Sequence, residues 1–148
     1  LKQIAEELLA RPDLKAAYMP QDYEELLNRE QNPVDFLSSL GDKEERTTIR
    51  TYLGSMRYTA DEMSHAIREL SGGQKAKLLF LKMSLDGCNV LILDEPTRNF
   101  SPLSGPVIRQ VLKEYPGAII SISHDRKYLE EVVDTTYELT EQGLVKRN

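Results

Sequence analysis

The sequence predicts an α/β fold in which a parallel sheet forms the core and a block of helices is inserted into it. Three observations carry this. After Gly87 the chain alternates strand-like and helix-like stretches, the rhythm of a parallel sheet with helical crossovers. The runs at 90–93 and 118–120 are continuously apolar, as in strands covered on both faces. From Asp22 to about Asp86 the texture is almost entirely helical.

The elements follow in order. Residues 1–11 have helical spacing, and "LKAAYMPQ" (14–21) is a short, partly apolar run with a proline near its end, a strand entering a loop. Helices are expected in "DYEELLNRE", in "NPVDFLSSL" with its Asn-Pro start, and in "DKEERTTIRTYLGSM". "TADEMSHAIREL" opens on a Thr-x-x-Glu capping box at Thr59 and Glu62. "NVLILDE" reads as a strand, "SPLSGPVIRQVLKEY" as a helix, "GAIISISHD" as a strand and "RKYLEEVVD" as a helix. "TTYELTEQGLVKRN" reads as a hairpin across Glu141-Gln142-Gly143. The expected division is 1–21, the end of a core subdomain; 22–86, a helical subdomain; and 87–148, the remainder of the core.

Composition bounds the function. With 148 residues, 40% hydrophobic and 29% charged, the chain has material for one sizeable core and is neither disordered nor membrane-spanning in character. Its apolar runs fall far short of the roughly 18 residues a membrane helix needs. The opening "LKQIAEELLA" is amphipathic and unlike a secretory segment, so the cytoplasm is the expected location. A single cysteine, Cys88, excludes an internal disulfide, and no clustered His/Cys set offers a metal site. The net charge of −5 argues against a broad phosphate-backbone clamp; a nucleic-acid partner would need basic elements outside this chain. The first residue is Leu rather than Met, which suggests a piece of a longer protein. Asn99-Phe100-Ser101 matches a glycosylation sequon and is read as chance in a chain without an export signal.

The chemistry concentrates in two places. In "ELSGGQKAKL" (69–78), a Ser-Gly-Gly turn precedes a basic helix. The first turn of a helix has unpaired N–H donors and a positive dipole end, so an anion, phosphate above all, suits it. The other place is a strand rim. One apolar run ends in Asp94 and Glu95, another in His124 and Asp125, and ligands of open parallel sheets bind beyond such carboxyl ends. An acid for hydrated Mg²⁺, a second acid for a water, and a histidine that can reach a terminal phosphate are the working parts of a nucleotide hydrolase.

Taken together, "LSGGQ" (70–74), "LILDEPT" (91–97), "SHDR" (123–126) and "YMPQ" (18–21) resemble the ATP-binding cassette ATPases: signature, Walker B, switch histidine and Q-loop. Four motifs in the family's order are far more specific than any one, and the resemblance runs from Leu14 to the end. Within that superfamily the chain looks closest to the F subfamily, whose members carry two cassettes in one chain and act on ribosomes. Lys75-Ala76-Lys77 after the signature and Tyr128-Leu129 after "SHDR" support this, as does the lack of a membrane segment.

The resemblance implies a partial P-loop NTPase (ABC-type) domain using ATP and Mg²⁺. Asp94 would hold the Mg²⁺ shell, and Glu95 would orient or deprotonate the attacking water. His124 would contact the γ-phosphate, and Gln21 would sense Mg²⁺ and water. Ser71, Gly72, Gly73 and Gln74 would cap the ATP of a partner cassette joined head to tail. The implied partners are that second cassette and, through parts outside this chain, the ribosome or tRNA.

Two departures stand out. No G-x-x-x-x-G-K-[ST] occurs in the chain, so the loop that cradles the α and β phosphates is absent from it and is expected upstream of Leu1. The family often has an Asp where this chain has Ser101, in "TRNFS". The open alternatives are the ATPase subunit of an ABC membrane transporter and a cassette with a scaffolding role.

Overall fold

The structure, a computed structural model, describes residues 1–98 and 105–147. Ser101, and with it the sequon, lies outside the described residues. The chain runs α1 (Lys2–Leu9), β1 (Ala16–Met19), a 3₁₀ turn (Glu24–Leu26), α2 (Pro33–Leu37), α3 (Lys43–Ser55), α4 (Ala60–Ser64) and a second 3₁₀ turn (Ile67–Glu69). It continues through α5 (Gly72–Leu85), β2 (Val90–Asp94), α6 (Gly105–Lys113), β3 (Ala118–Ile122), α7 (Arg126–Glu131), β4 (Tyr137–Thr140) and β5 (Gly143–Lys146).

The α/β class and the parallel sheet are as the sequence predicts. Three strands pair in the order β1-β2-β3, all parallel, with Tyr18 opposite Ile92 and Ile92 opposite Ile120. Asn89 stitches their starts together: its N–H donates to Lys15, its side-chain oxygen accepts from the Lys15 N–H, and its carbonyl accepts from the Ala118 N–H. The hairpin of β4 and β5 turns on Glu141-Gln142, with Gly143 already paired to Thr140.

Side-chain caps set several of the helix starts. Asn32 accepts from the Asp35 N–H with Pro33 in the first turn, and Asp42 accepts from the Glu45 N–H. Both halves of the Thr59/Glu62 capping box form. Ser71 caps α5, and Gly87, at φ 79°, follows its end. In α5, residues Leu78 through Leu81 are all buried. Four consecutive buried residues go nearly round the helix, so its middle belongs inside, and it joins the helices before it to α6, Leu91, Leu93 and Tyr128 in one core.

Three expectations need correction. The helix expected through "TADEMSHAIREL" ends at Ser64: His65 and Ala66 are extended before the 3₁₀ turn, and the Ile67 N–H that a helix would use is given to the Gln31 carbonyl. "DYEELLNRE" forms only the short turn at Glu24–Leu26. Beyond it, the carbonyls of Arg29 and Gln31 accept from the N–H groups of Arg68 and Ile67, so a tertiary pairing replaces the helical one. The sheet is not covered on both faces throughout the described residues. β2 is buried, with Val90 and Ile92 under Ala5 of α1, but Ile120 and Ile122 of β3 stay 38% and 41% exposed. The cause is geometric: a helix about 10 Å across covers about two strands spaced about 4.8 Å, and α1 lies over β1 and β2.

Two positions test the backbone account. Arg57 ends α3 at φ 69°, where the Tyr58 N–H reaches back to the Leu53 carbonyl. Arg57→Gly removes a left-handed penalty of about 1 kcal/mol and should raise the melting temperature by about 2–4 °C. A Cβ on Gly117 would stand 2.6 Å from the Asn89 carbonyl oxygen. Gly117→Ala should therefore lower stability by about 1–3 kcal/mol in denaturant titration, because the clash falls on the backbone that joins three strand starts.

Candidate functional site

Register decides what meets at the rim. Met19 lies opposite Leu93, Leu93 opposite Ser121, and Asp94 opposite Ile122. Gln21, Asp94, Glu95 and His124 therefore leave three adjacent strands at the same carboxyl edge.

Glu95 is the hinge of this edge. Its φ is +49°, a left-handed conformation in a residue with a side chain, which costs about 1–2 kcal/mol. The conformation is held from both ends: the Glu95 N–H donates to the Ile122 carbonyl at 2.9 Å, and Pro96 is buried behind it. One carboxylate oxygen stands 2.5 Å from His124 Nδ1, and the other accepts from the His124 N–H at 3.4 Å. The Glu95 side chain is 10% exposed and the His124 side chain 89%. A sheltered carboxylate thus sits behind an imidazole that faces solvent. Such a pair can accept a proton from a water and pass hydrogen-bonding capacity to an incoming anion.

A second layer fixes the loop carrying the histidine. Thr97 Oγ1 donates to Asp125 at 2.8 Å, and Asp125 caps α7 through the N–H groups of Lys127 and Tyr128. The buried Tyr128 hydroxyl donates to Ser121 at 3.0 Å. Desolvation pushes the Asp125 pKa up, but the Thr97 hydroxyl, the two backbone N–H groups and nearby Arg109 outweigh it and hold the carboxyl below the usual range. Arg98 donates to Gln21 at 3.4 Å across a separation of 77 residues. Thr97, Arg98 and Asp125 drew no role from sequence reasoning, and for Arg98 no linear signal exists, since the contact depends on β1 lying beside β2.

The Ser-Gly-Gly turn forms separately, at the start of α5. Ser71 and Gly72 are exposed, Gly73 is buried, and the Ser71 hydroxyl accepts from the Gln74 N–H at 3.2 Å. The lysines after it do not make a basic outer face. Lys75, its side chain 12% exposed, pairs with Glu24 at 3.4 Å, and Lys77 donates to the Met56 carbonyl at 2.8 Å.

Among the described residues no three acidic, His or Cys side chains converge into a metal cage. Mg²⁺ binds through one or two carboxylates together with phosphate oxygens and water and needs no such cage.

A family model described as ABC transporter matches residues 2–98. The chain belongs to the ABC transporter family. Cassettes of this family bind ATP with Mg²⁺ and pair as dimers. YheS of Escherichia coli K12 is 30% identical over 137 residues, covering 93% of this chain and 22% of YheS. YfmR of Bacillus subtilis, an ABC transporter ATP-binding protein, is 32% identical over 145 residues, covering 90% of this chain and 22% of YfmR. ABC transporter F family member 2 of Arabidopsis thaliana is 34% identical over 97 residues, covering 66% of this chain and 14% of the relative. The chain thus spans about a fifth of these ABC relatives' length or less.

A solved inward-facing protein described as a metal-chelate type ABC transporter shares the fold, with a TM-score of 0.72 at 15% identity, covering 99% of this chain and 67% of that one. The dimeric cassette MJ0796, bound to ADP and Pi, gives a TM-score of 0.57 at 19% identity over 77% of this chain and 54% of its own. No helix among the described residues is long and apolar enough to cross a membrane.

The depressed Asp125 pKa makes a signed prediction for this ABC domain. Its contribution to stability is present above the unfolded carboxyl value of about 3.9 and is lost as pH falls through the lower folded value. The melting-temperature gap between the native protein and Asp125→Asn should therefore be widest near neutrality and narrow below about pH 4.

Proposed function

We propose that this chain is the C-terminal part of an ABC cassette that binds and hydrolyses ATP in a head-to-tail cassette pair, within a cytoplasmic F-subfamily protein that acts on the ribosome. The observation that carries the hydrolytic part is the sheltered Glu95 carboxylate, strained at φ 49° and paired with the exposed His124 ring. Strain at a rim residue over-determined by its surroundings is a mark of a working site. The F-family names among the relatives and the motifs around Lys75 and Tyr128 support the subfamily.

In this reading residues 1–21 and 87–148 belong to the nucleotide-binding core and 22–86 to the helical subdomain. ATP with Mg²⁺ supplies an activated terminal phosphoryl group and the counter-charge that lets it leave. Asp94 holds the hydrated cation. Glu95 orients the attacking water and takes its proton, and His124 turns its solvent-facing ring to the terminal phosphate. Gln21, held by Arg98, reads whether cation and water are in place. Ser71, Gly72, Gly73 and Gln74 offer a hydroxyl and first-turn N–H groups to the nucleotide of the partner cassette.

Two measurements test this. Isothermal calorimetry of the 148-residue chain should detect weak ATP binding or none, because the cradle for the inner phosphates is not in it; tight Mg²⁺-dependent binding would refute the division of labour. In the full-length protein, Glu95→Gln matched in the other cassette should cut turnover at least about 100-fold while ATP remains bound. The closed state should then co-sediment with ribosomes only when ATP is present. Retained ATP without pelleting would replace the ribosomal reading with a transporter subunit, and an unchanged turnover would remove Glu95 from the chemistry.

A further inference from the structure

The N-terminal turn of α5 is held by a small polar cluster in the corner between α3 and α4. Tyr58 is 4% exposed, yet its hydroxyl reaches out of the core to donate to the Gln74 carbonyl at 2.8 Å. Lys77 closes over the same ring, its Nζ 5.2 Å from the ring centre, and donates to the Met56 carbonyl. The Glu62 carboxylate, fixed by the Thr59 N–H at 2.9 Å, stands near the Gln74 side chain. Gln74 is thus held at its carbonyl from this corner, with the Glu62 carboxylate beside it. The Tyr58 bond does not serve helix formation, since a helical carbonyl already has an acceptor role within α5. Its effect is to fix where Gln74, and the turn before it, point.

We propose that Tyr58, supported by Glu62 and Lys77, is a positioning residue that sets the orientation of the Ser71–Gln74 turn toward the partner cassette's ATP. This rests on the reading of that turn as a nucleotide contact. Preorganised donors bind an anion without ordering themselves first, so loosening the grip weakens binding of substrate and transition state alike. The signature is a raised half-saturating ATP concentration at nearly constant kcat.

The test uses the full-length protein. Tyr58→Phe keeps the ring, its packing and the contact with Lys77, and removes only the hydroxyl. One net hydrogen bond corresponds to about fivefold in an equilibrium. The half-saturating ATP concentration should therefore rise about fivefold, with kcat within about twofold. In the nucleotide-free protein, amide exchange should quicken about fivefold in a peptide covering 70–77 and not in α3 or β2. Glu62→Ala should shift half-saturation in the same direction, and Glu62→Gln, which keeps an oxygen for the Thr59 N–H and beside Gln74, should restore it.

Ser71→Ala separates the two ways of failing. If it raises half-saturation while Tyr58→Phe leaves half-saturation and exchange unchanged, the positioning role is wrong and the nucleotide reading of the turn stands. If Ser71→Ala also has no effect, the reading of the turn fails and the positioning role with it. Faster exchange throughout α3–α5 would mark Tyr58 as a core residue only and would equally overturn the proposal, a result that the Glu62 pair checks independently.

Discussion

The arrangement depends on burying α5 and β2 together. α5 turns Ala76, Leu78, Leu79, Phe80, Leu81 and Met83 into the core, and β2 follows after Gly87 with Val90 through Leu93 buried on both faces. Each such side chain contributes roughly 1.5–3 kcal/mol relative to exposure, so neither element can rotate or slide without losing several at once. Candidate site residues stand at both ends of this spine. The Ser-Gly-Gly turn opens α5, and Asp94 and Glu95 close β2. An apolar interior thus serves as a rigid mount for two polar ends of different chemistry.

At the β2 end the mount enforces strain. The strand is paired on both sides up to Leu93 and with β3 up to Asp94, and the chain must then turn away at once. Glu95 absorbs that turn in a left-handed conformation, its N–H still tied to β3 and its carboxylate to His124. The bond from Thr97 to Asp125 repeats the tie one layer behind. Carboxylate and imidazole consequently meet at a fixed distance, although 29 residues separate them in sequence.

At the α5 end the mount handles charge differently. Lys75 and Lys77 follow two glycines and look in sequence like a cationic surface, but both are drawn inward, one to Glu24 and one to a carbonyl beneath Tyr58. The half-buried Lys77 has its pKa lowered by desolvation, an effect that nearby Glu62 opposes. What the turn offers an anion is therefore a hydroxyl and backbone N–H groups, with the lysines spent on holding it in place. This agrees with the acidic balance of the chain, whose net charge is −5.

Much of the molecule was legible in its sequence because the signals are local. The continuous apolar runs of β2 and β3, the capping box at Thr59 and Glu62, the hairpin turn and the carboxylates at a strand end each depend on a few neighbouring residues. The failed helix at "DYEELLNRE" shows the limit, since backbone groups far along the chain claimed its carbonyls. The uncovered face of β3 shows it again, because how many strands α1 covers is a matter of width, not pattern. By itself, then, the sequence determined the fold class, most of the elements and the family. Only the tertiary structure decided that Glu95 is strained and paired with His124, that Arg98 holds Gln21, and that Tyr58 grips Gln74. Those contacts join distant residues through strand register and core packing, and no local pattern encodes them.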